Sequence, residues 1–290
     1  MATSSANLDS PITRRQLESA LELNQFELHY QPLVDVRDHT LHGIEALVRW
    51  NHPQLGLRPP SEFIPLAEET GFIVALGNWV LLQACIDFRS LNPAKRNLLL
   101  SVNVSTRQLD QPDFIRTLAD VLAQTGIPGW QLQLEITESI FLRDQMRVGA
   151  LLGAIRALGV KIAFDDFGTG YSSLNYLDRY PVDLLKVDQY FVQNMRRGNM
   201  NEEIVHMIVH IARAAGMDVS AEGVESPEQA ATLQKLGCNI AQGYLYCHPV
   251  PLQAIHDLLQ KETIEPAIAR RKPVRPERGL TALLNHFATH

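Results

Sequence analysis

Hydrophobic positions along the chain follow two periods, one near 3.6 and one of two, and the order in which they alternate predicts the architecture. A short helix is expected over Arg15 to Leu23, followed by a strand from Phe26 to Val36, a turn at Asp38-His39 and a second strand from Leu41 to Trp50. So short a connection cannot make a crossover, so the two strands must form an antiparallel hairpin. Pro59, Pro60 and Ser61 then open a helical region that Gly71 divides and that ends near Leu91.

From Leu98 the chain falls into a rhythm of strand then helix. Leu98 to Ser105 precedes a helix over Asp113 to Gln124 closed by Gly126, and Gln131 to Thr137 precedes one over Asp144 to Leu158 closed by Gly159. Lys161 to Phe167 precedes Ser173 to Tyr180, and Leu184 to Asp188 precedes Glu202 to Ala215. Asp218 to Val224 leads to a helix opened by Ser226-Pro227-Glu228-Gln229, which combines an N-cap, a proline at the first helical position and a capping-box glutamine. Asn239 to Gly243 is the last strand, followed through Pro249 and Pro251 by a helix over Leu252 to Leu259. Repeated units of this kind mean parallel strands with right-handed crossovers, and their number favours a closed TIM-like (β/α)8 barrel of the α/β class over an open sheet. The initial hairpin departs from a regular barrel.

Residues 1–14 read as a flexible lead, 15–261 as the barrel and 262–290 as a tail in which Arg270, Arg271, Lys272, Arg275 and Arg278 alternate with prolines. Within that tail only Thr281 to Phe287 looks helical. It reads as a linker or partner-docking segment, or as disordered chain. Met1 to Pro11 lacks the apolar core of a signal peptide, and the apolar region Gly71 to Cys85, interrupted by Gly77 and Asn78, is too short to span a bilayer. Over 290 residues, 46% hydrophobic and 20% charged content describes a soluble globular protein, and a net charge of −6 argues against a binder of nucleic-acid polymers or membrane surfaces. The three cysteines form no C-x-x-C pair, which fits reduced thiols and a cytoplasmic location.

Candidate chemistry begins at Lys161-Ile-Ala-Phe-Asp-Asp-Phe-Gly-Thr-Gly-Tyr-Ser-Ser173, where Asp165 and Asp166 stand side by side as the strand stops. Alone, such a pair before Gly168 is an ordinary turn. Period two, however, turns Glu45, Asn103, Glu135, Asp165, Lys186, Glu222 and Gln242 toward the barrel interior near the ends of seven strands, the face on which barrel active sites are built. Oxygen donors without thiolates or a histidine cluster suit Mg²⁺ or Mn²⁺. Glu45, Asn103, Glu135 and Asp165 could surround one ion, with Asp165 bridging to a second held by Asp166 and Glu222; such a pair serves in-line phosphoryl displacement. Lys186 is placed to hold or deprotonate an attacking water, and Arg49, four residues beyond Glu45, to grip a phosphate.

Other patterns carry less. His206 and His210 share a helix face but lack the glutamate of a zinc-protease motif, so a solvated or packed face is the simpler reading. Gly168-Thr169-Gly170 suggests a dinucleotide fingerprint, but Ser173 replaces the last glycine. The sequon Asn103-Val104-Ser105 falls at a strand end expected to be buried.

Glu45-Ala46-Leu47 with Arg49-Trp50, Asn103-Val104-Ser105, Glu135-Ile136-Thr137-Glu138-Ser139, Asp165-Asp166-Phe167-Gly168-Thr169-Gly170, Lys186-Val187-Asp188, Ala221-Glu222-Gly223-Val224-Glu225 and Gln242-Gly243-Tyr244 together resemble the EAL family of cyclic di-GMP phosphodiesterases. The resemblance runs from about Arg15 to Leu259. It implies a barrel with one antiparallel strand, in accord with the hairpin, and hydrolysis of cyclic di-GMP to linear pGpG with two Mg²⁺ or Mn²⁺ ions. It implies ligand roles for Glu45, Asn103, Glu135 and Asp165, with Asp166 and Glu222 serving the second ion, and a general-base role for Lys186. Gln31, Leu47, Arg49 and Gln242 resemble substrate contacts, and Glu225 a supporting acid. Glu138 resembles the anchor of the loop over Phe167 to Ser173, including Gly168, Thr169 and Gly170, which in the family lies near a dimer interface. A homodimer and sensor domains in a parent protein are therefore expected partners. Ca²⁺, with its longer and less regular coordination, is expected to support binding but inhibit chemistry. Where the family often shows Lys, this chain has His248. The alternative is a receptor or scaffold that binds cyclic di-GMP without turnover.

Overall fold

The first hairpin sets the barrel's closure, because its first strand pairs with the second on one side and with the last barrel strand on the other. In a computed structural model, which describes residues 12–91, 97–137, 140, 144–167, 179–264 and 266, α1 (Arg14–Glu22) is closed at its N-terminus by a Thr13–Gln16 capping box and leads into that hairpin, β1 (Phe26–Asp35) and β2 (Leu41–His52). A short β3 (Gly56–Arg58) precedes α2 (Ile64–Thr70), which Gly71 ends in the left-handed region at φ 77°, and α3 (Ile73–Ser90) follows. The alternating part comprises β4 (Leu99–Asn103), α4 (Thr106–Leu109), α5 (Phe114–Thr125), β5 (Leu132–Thr137), α6 (Gln145–Ala157), β6 (Lys161–Phe167), β7 (Leu184–Val187), α7 (Gln189–Gln193) and α8 (Met200–Ala214). It continues with β8 (Asp218–Ala221), α9 (Pro227–Leu236), β9 (Ile240–Ala241), β10 (Val250–Pro251) and α10 (Leu252–Leu259).

Strand pairing runs β1-β9-β8-β7-β6-β5-β4-β2 and returns to β1, an eight-stranded closed barrel. β1 is antiparallel to both of its barrel neighbours, and the remaining barrel pairs are parallel. β3 and β10 pair outside the ring, on β2 and β1. The expected antiparallel strand is thus β1. The Ser226–Gln229 capping box and the Gly126 helix stop form as expected. α4, α7, β3 and β10 were not foreseen; each is five residues or fewer, too short to display a period. The helix expected over Ser173 to Tyr180 lies, except for Arg179 and Tyr180, which form a turn and a bend, outside the described residues, as do the lead before Ile12 and the tail beyond residue 266. Ile264, at the start of that tail, is buried, and its N–H donates to the His39 carbonyl at 2.8 Å.

Period two sorts the strands as the sequence implied. Leu100, Val102, Leu132, Leu134, Ile136, Ile162, Phe164, Leu185, Val187 and Val219 join the main apolar core between barrel and helices. Leu33, Ala163, Leu184 and Ile240 form a separate apolar cluster. Each stands two residues along its strand from an inward polar residue: Leu33 from Gln31, Ala163 from Asp165, Leu184 from Lys186, Ile240 from Gln242. The same face of each strand therefore carries an apolar floor and, one step toward the parallel strands' C-terminal ends, the candidate chemistry.

Gly43 is part of this packing, because a Cβ there would strike the Leu99 carbonyl of neighbouring β4. Gly153 in α6 has open space around its Cα. Gly43→Ala should therefore destabilise the protein by about 1–3 kcal/mol through overpacking. Gly153→Ala should stabilise it by roughly 0.5–1 kcal/mol through helix propensity. Urea midpoints read both, and a Gly43→Ala protein as stable as the parent would contradict the close β2–β4 approach.

Candidate active site

Lys186 enters the barrel from β7 between the helix-facing Leu185 and Val187, and its side chain is fully buried. Its Nζ lies 2.5 Å from Glu135 Oε2 on β5, 2.5 Å from Glu222 Oε1 just beyond β8, 3.2 Å from Asp165 Oδ1 on β6 and 4.0 Å from Glu45 Oε1 on β2. One ammonium thus meets four carboxylates drawn from four strands or their ends. The neighbouring acids hold the Lys186 ammonium well above the usual lysine range against the opposing effect of burial, which is the largest single influence. By themselves these acids keep Nζ a proton donor; a base role there needs compensating positive charge beside them.

Each acid is oriented by its own hydrogen bonds. Ser101 Oγ donates to Glu135 and accepts from Gln133 Nε2 at 3.0 Å. Glu45 accepts at Oε1 from Asn103 Nδ2, 2.7 Å, and at Oε2 from Gln242 Nε2, 2.5 Å. Gln242 Nε2 also donates to Gln31 Oε1 at 2.9 Å, and Gln31 Nε2 donates to the Cys247 carbonyl at 3.0 Å. Burial first, then the neighbouring Glu45, pushes the Glu135 carboxyl well above the usual range. Burial likewise pushes Glu222 up to about 8, with Lys186 opposing. Glu222 stands in the cavity wall with 22% of its side chain exposed.

The strand ladder explains the Asp165-Asp166 pair. Between β6 and β7, Phe164 pairs with Leu185 and Phe167 with Val187, so two consecutive residues oppose Lys186 alone. This is a bulge, a local device that re-aims side chains and recurs beside active sites.

These residues line a cavity of about 300 Å³ with Gln31, Glu45, Leu47, Asn103, Asp165, Lys186, Glu222, Glu225 and Gln242 in its wall. Glu135, paired with Lys186, lines a neighbouring cavity, and Glu225 accepts from Gln193 Nε2 at 3.1 Å. Arg49 stands apart from the lining: half-buried, it donates from Nη1 to the Val48 carbonyl at 2.8 Å. Asn103 is exposed, contrary to the buried strand end expected for the sequon, because β4 stops there. His206 and His210 are exposed on α8. The Asp166 side chain, Glu138, Gly168, Thr169 and Gly170 lie outside the described residues. Ser101, Gln133, Gln189, Gln193 and Tyr244 had no assigned part in the sequence reading, although Ser101 and Gln133 share the period-two face of Asn103 and Glu135. A second, mostly apolar cavity of about 290 Å³ adjoins the first across Leu47 and Asn103, walled by Ile64, Leu76, Val80 and Val104.

Among the described residues, no three His, Cys, Asp or Glu side chains form a preassembled metal cluster. The donor chemistry nevertheless suits hard cations. Four carboxylates face one ammonium, and among the described residues the lining has no thiolate or imidazole and Gln242 Oε1 is buried without a hydrogen-bond partner.

The EAL domain family model matches residues 14–249. Among curated proteins, the chain is 42% identical over 246 residues to cyclic di-GMP phosphodiesterase NbdA of Pseudomonas aeruginosa, covering 84% of this chain and 31% of that protein. It is 39% identical over 238 residues to cyclic di-GMP phosphodiesterase PdeR of Escherichia coli, covering 82% of this chain and 36% of that one. The chain thus spans about a third of the length of these relatives. A solved structure of the PaMucR phosphodiesterase in a c-di-GMP complex superposes with a TM-score of 0.80 at 40% identity, covering 83% of this chain and 98% of that one.

The raised Glu222 carboxyl has a stability consequence. Its pKa lies above the 4.5 of an unperturbed glutamate, at about 8, so the folded state keeps a proton that the unfolded state has lost. Stability then falls as pH rises through that interval. Asp35 and Asp38, lowered from 3.8, have titrated before it, and half-buried His42 and buried His52, lowered from 6.5, act with opposite sign only below 6.5. With a chelator present, the unfolding temperature should fall between pH 6.5 and 8, and less steeply in Glu222→Gln. Identical slopes in the two proteins would refute the assignment.

Proposed function

The chain belongs to the EAL domain family, and from that premise we propose that it is a phosphodiesterase hydrolysing cyclic di-GMP to linear 5′-pGpG. The observation that carries the reading is the four-carboxylate cluster around buried Lys186 at the C-terminal mouth of the barrel. Names of relatives and the c-di-GMP complex of a structural neighbour support the choice of substrate.

In this reading Glu45, Asn103, Glu135 and Asp165 would hold one Mg²⁺ or Mn²⁺, and Asp166 with Glu222 the second. When bound, such ions neutralise charge on the phosphodiester and acidify the attacking water. Water oxygen bonds to phosphorus, the P–O3′ bond breaks, and the proton leaving the water balances the one gained by the departing 3′-oxygen. Lys186 Nζ orients that water and, with the surrounding acids compensated, accepts its proton. Asn103 and Gln242 hold Glu45 in one orientation, so its carboxylate needs no rearrangement during the reaction.

Gln31, Leu47, Arg49 and Gln242 are the proposed substrate contacts, with Gln242 also bonding Glu45 and Gln31 bonding Gln242. The apolar cavity beside Leu47 offers a slot of suitable chemistry for one guanine. Glu225 supports the mouth through Gln193, while Glu138 and the loop containing Gly168, Thr169 and Gly170 are proposed to couple the site to a homodimer interface. Sensor domains in a longer parent protein are consistent with the threefold greater length of the relatives. A cytoplasmic setting suits the substrate, and among the described residues no helix is long and apolar enough to cross a membrane.

Chromatography of products after incubation with cyclic di-GMP and Mg²⁺ should show pGpG. Binding without pGpG would instead support a receptor. Glu45→Gln should lower turnover at least about a hundredfold. Replacing Mg²⁺ with Ca²⁺ should preserve binding while turnover collapses, and equal rates in the two ions would contradict the tight coordination proposed.

A further inference from the structure

Across the mouth from the apolar cavity, the segment after β9 carries two aromatic rings that the chemistry above does not use. Tyr244 lines the carboxylate cavity, and its ring lies on the His248 imidazole with centroids 3.9 Å apart and planes inclined by 26°. Tyr244 is 52% exposed and His248 is exposed, so the pair stands at the lip of the cavity rather than in the core.

Both rings stand on stiff backbone. The Val224 N–H donates to the Gln242 carbonyl at 3.0 Å and the Leu245 N–H to the Val224 carbonyl at 2.9 Å, which pins the chain on either side of Tyr244. A Cβ at Gly243 would strike the Val224 backbone, so this crossing permits no larger residue. The Cys247 N–H closes the turn on the Gly243 carbonyl at 3.2 Å. His248 precedes Pro249, whose ring restricts the preceding residue to extended backbone. With one ring face covered by His248, Tyr244 has less freedom to rotate and keeps an oriented ring at the mouth.

The carboxylate cavity, at about 300 Å³, is at the small end for a ligand pocket and suits the scissile phosphodiester with its sugars. One base has the apolar slot by β2 and β4; the strand order places β9 and its aromatic pair on the other side of β1 and β2. A nucleobase stacks on an aromatic ring whatever its edge chemistry. We propose that His248 is a positioning residue that holds the Tyr244 ring as a stacking step for the second guanine of the substrate. The inference rests on cyclic di-GMP being the ligand of this site.

The test compares His248→Ala, His248→Phe and His248→Lys with the parent chain, using calorimetric Kd for cyclic di-GMP in Ca²⁺ and KM with kcat in Mg²⁺. His248→Ala should weaken Kd and raise KM about fivefold to tenfold, while kcat changes by less than about twofold. His248→Phe, which keeps a planar ring, should stay within about twofold of the parent, and His248→Lys, a cation without a ring, should resemble His248→Ala. Unchanged Kd in His248→Ala, or a His248→Phe protein as weak as it, overturns the proposal. A parent chain that binds without forming pGpG sinks the hydrolase reading alone, and the Kd series still decides the role of His248. No binding by the parent overturns both.

Discussion

A buried ammonium ringed by carboxylates constrains this barrel more than any other contact, because charge inside a protein is tolerated only where it is paired and hydrogen-bonded. Lys186 Nζ lies within 4.0 Å of oxygens from Glu45, Glu135, Asp165 and Glu222, residues separated by up to most of the chain. Removing one partner of a buried pair typically costs about 3–5 kcal/mol. The cluster therefore tolerates little change in the relative position of the strands that bear it. It also carries more negative than positive charge, which suits a site for hard cations and a phosphodiester better than it suits a purely structural ion pair.

That constraint is met by packing beneath it and hydrogen bonds around it. Leu33, Ala163, Leu184 and Ile240 form an apolar cluster one period-two step from Gln31, Asp165, Lys186 and Gln242. Above that layer, a chain of amides runs from the Cys247 carbonyl through Gln31 and Gln242 to Glu45, and Asn103 reaches the same carboxylate from the other side. Gln31 can take part because β1 runs opposite to its neighbours yet still presents its alternate residues inward. The reversed strand thus supplies part of the second layer around Glu45, and the turn that holds Tyr244 is joined to it through Cys247.

Much of this is legible in the residue pattern. Alternation puts Glu135 and Gln133 on one face of β5 and Leu132, Leu134 and Ile136 on the other; all five are buried, but only the three apolar residues join the main core, while Gln133 donates to Ser101 Oγ. Motif order then brought seven strand ends together. Arg49 shows where such reasoning stops: it shares a strand face with Glu45, but the hydrogen bond that its Nη1 donates to the adjacent Val48 carbonyl is not given by the period. Period locates a Cβ; the rotamer of a long side chain depends on neighbours that are remote in sequence. The short α7 escaped notice because five residues are too few for a helical period, although it supplies Gln189 and Gln193 to the cavity wall.

Residue order alone determined the class of fold, the antiparallel opening hairpin and the set of acids turned toward one end of the barrel, since all three follow from local periodicity and short connections. Tertiary structure decided which oxygen meets which proton. The bulge that sets Asp165 and Asp166 against Lys186, the amides shared by Glu45 and the stacking of His248 on Tyr244 all depend on register and distance between segments that local pattern does not encode. A period states which face a residue occupies, whereas a hydrogen bond depends on tenths of an ångström that only the closed barrel supplies.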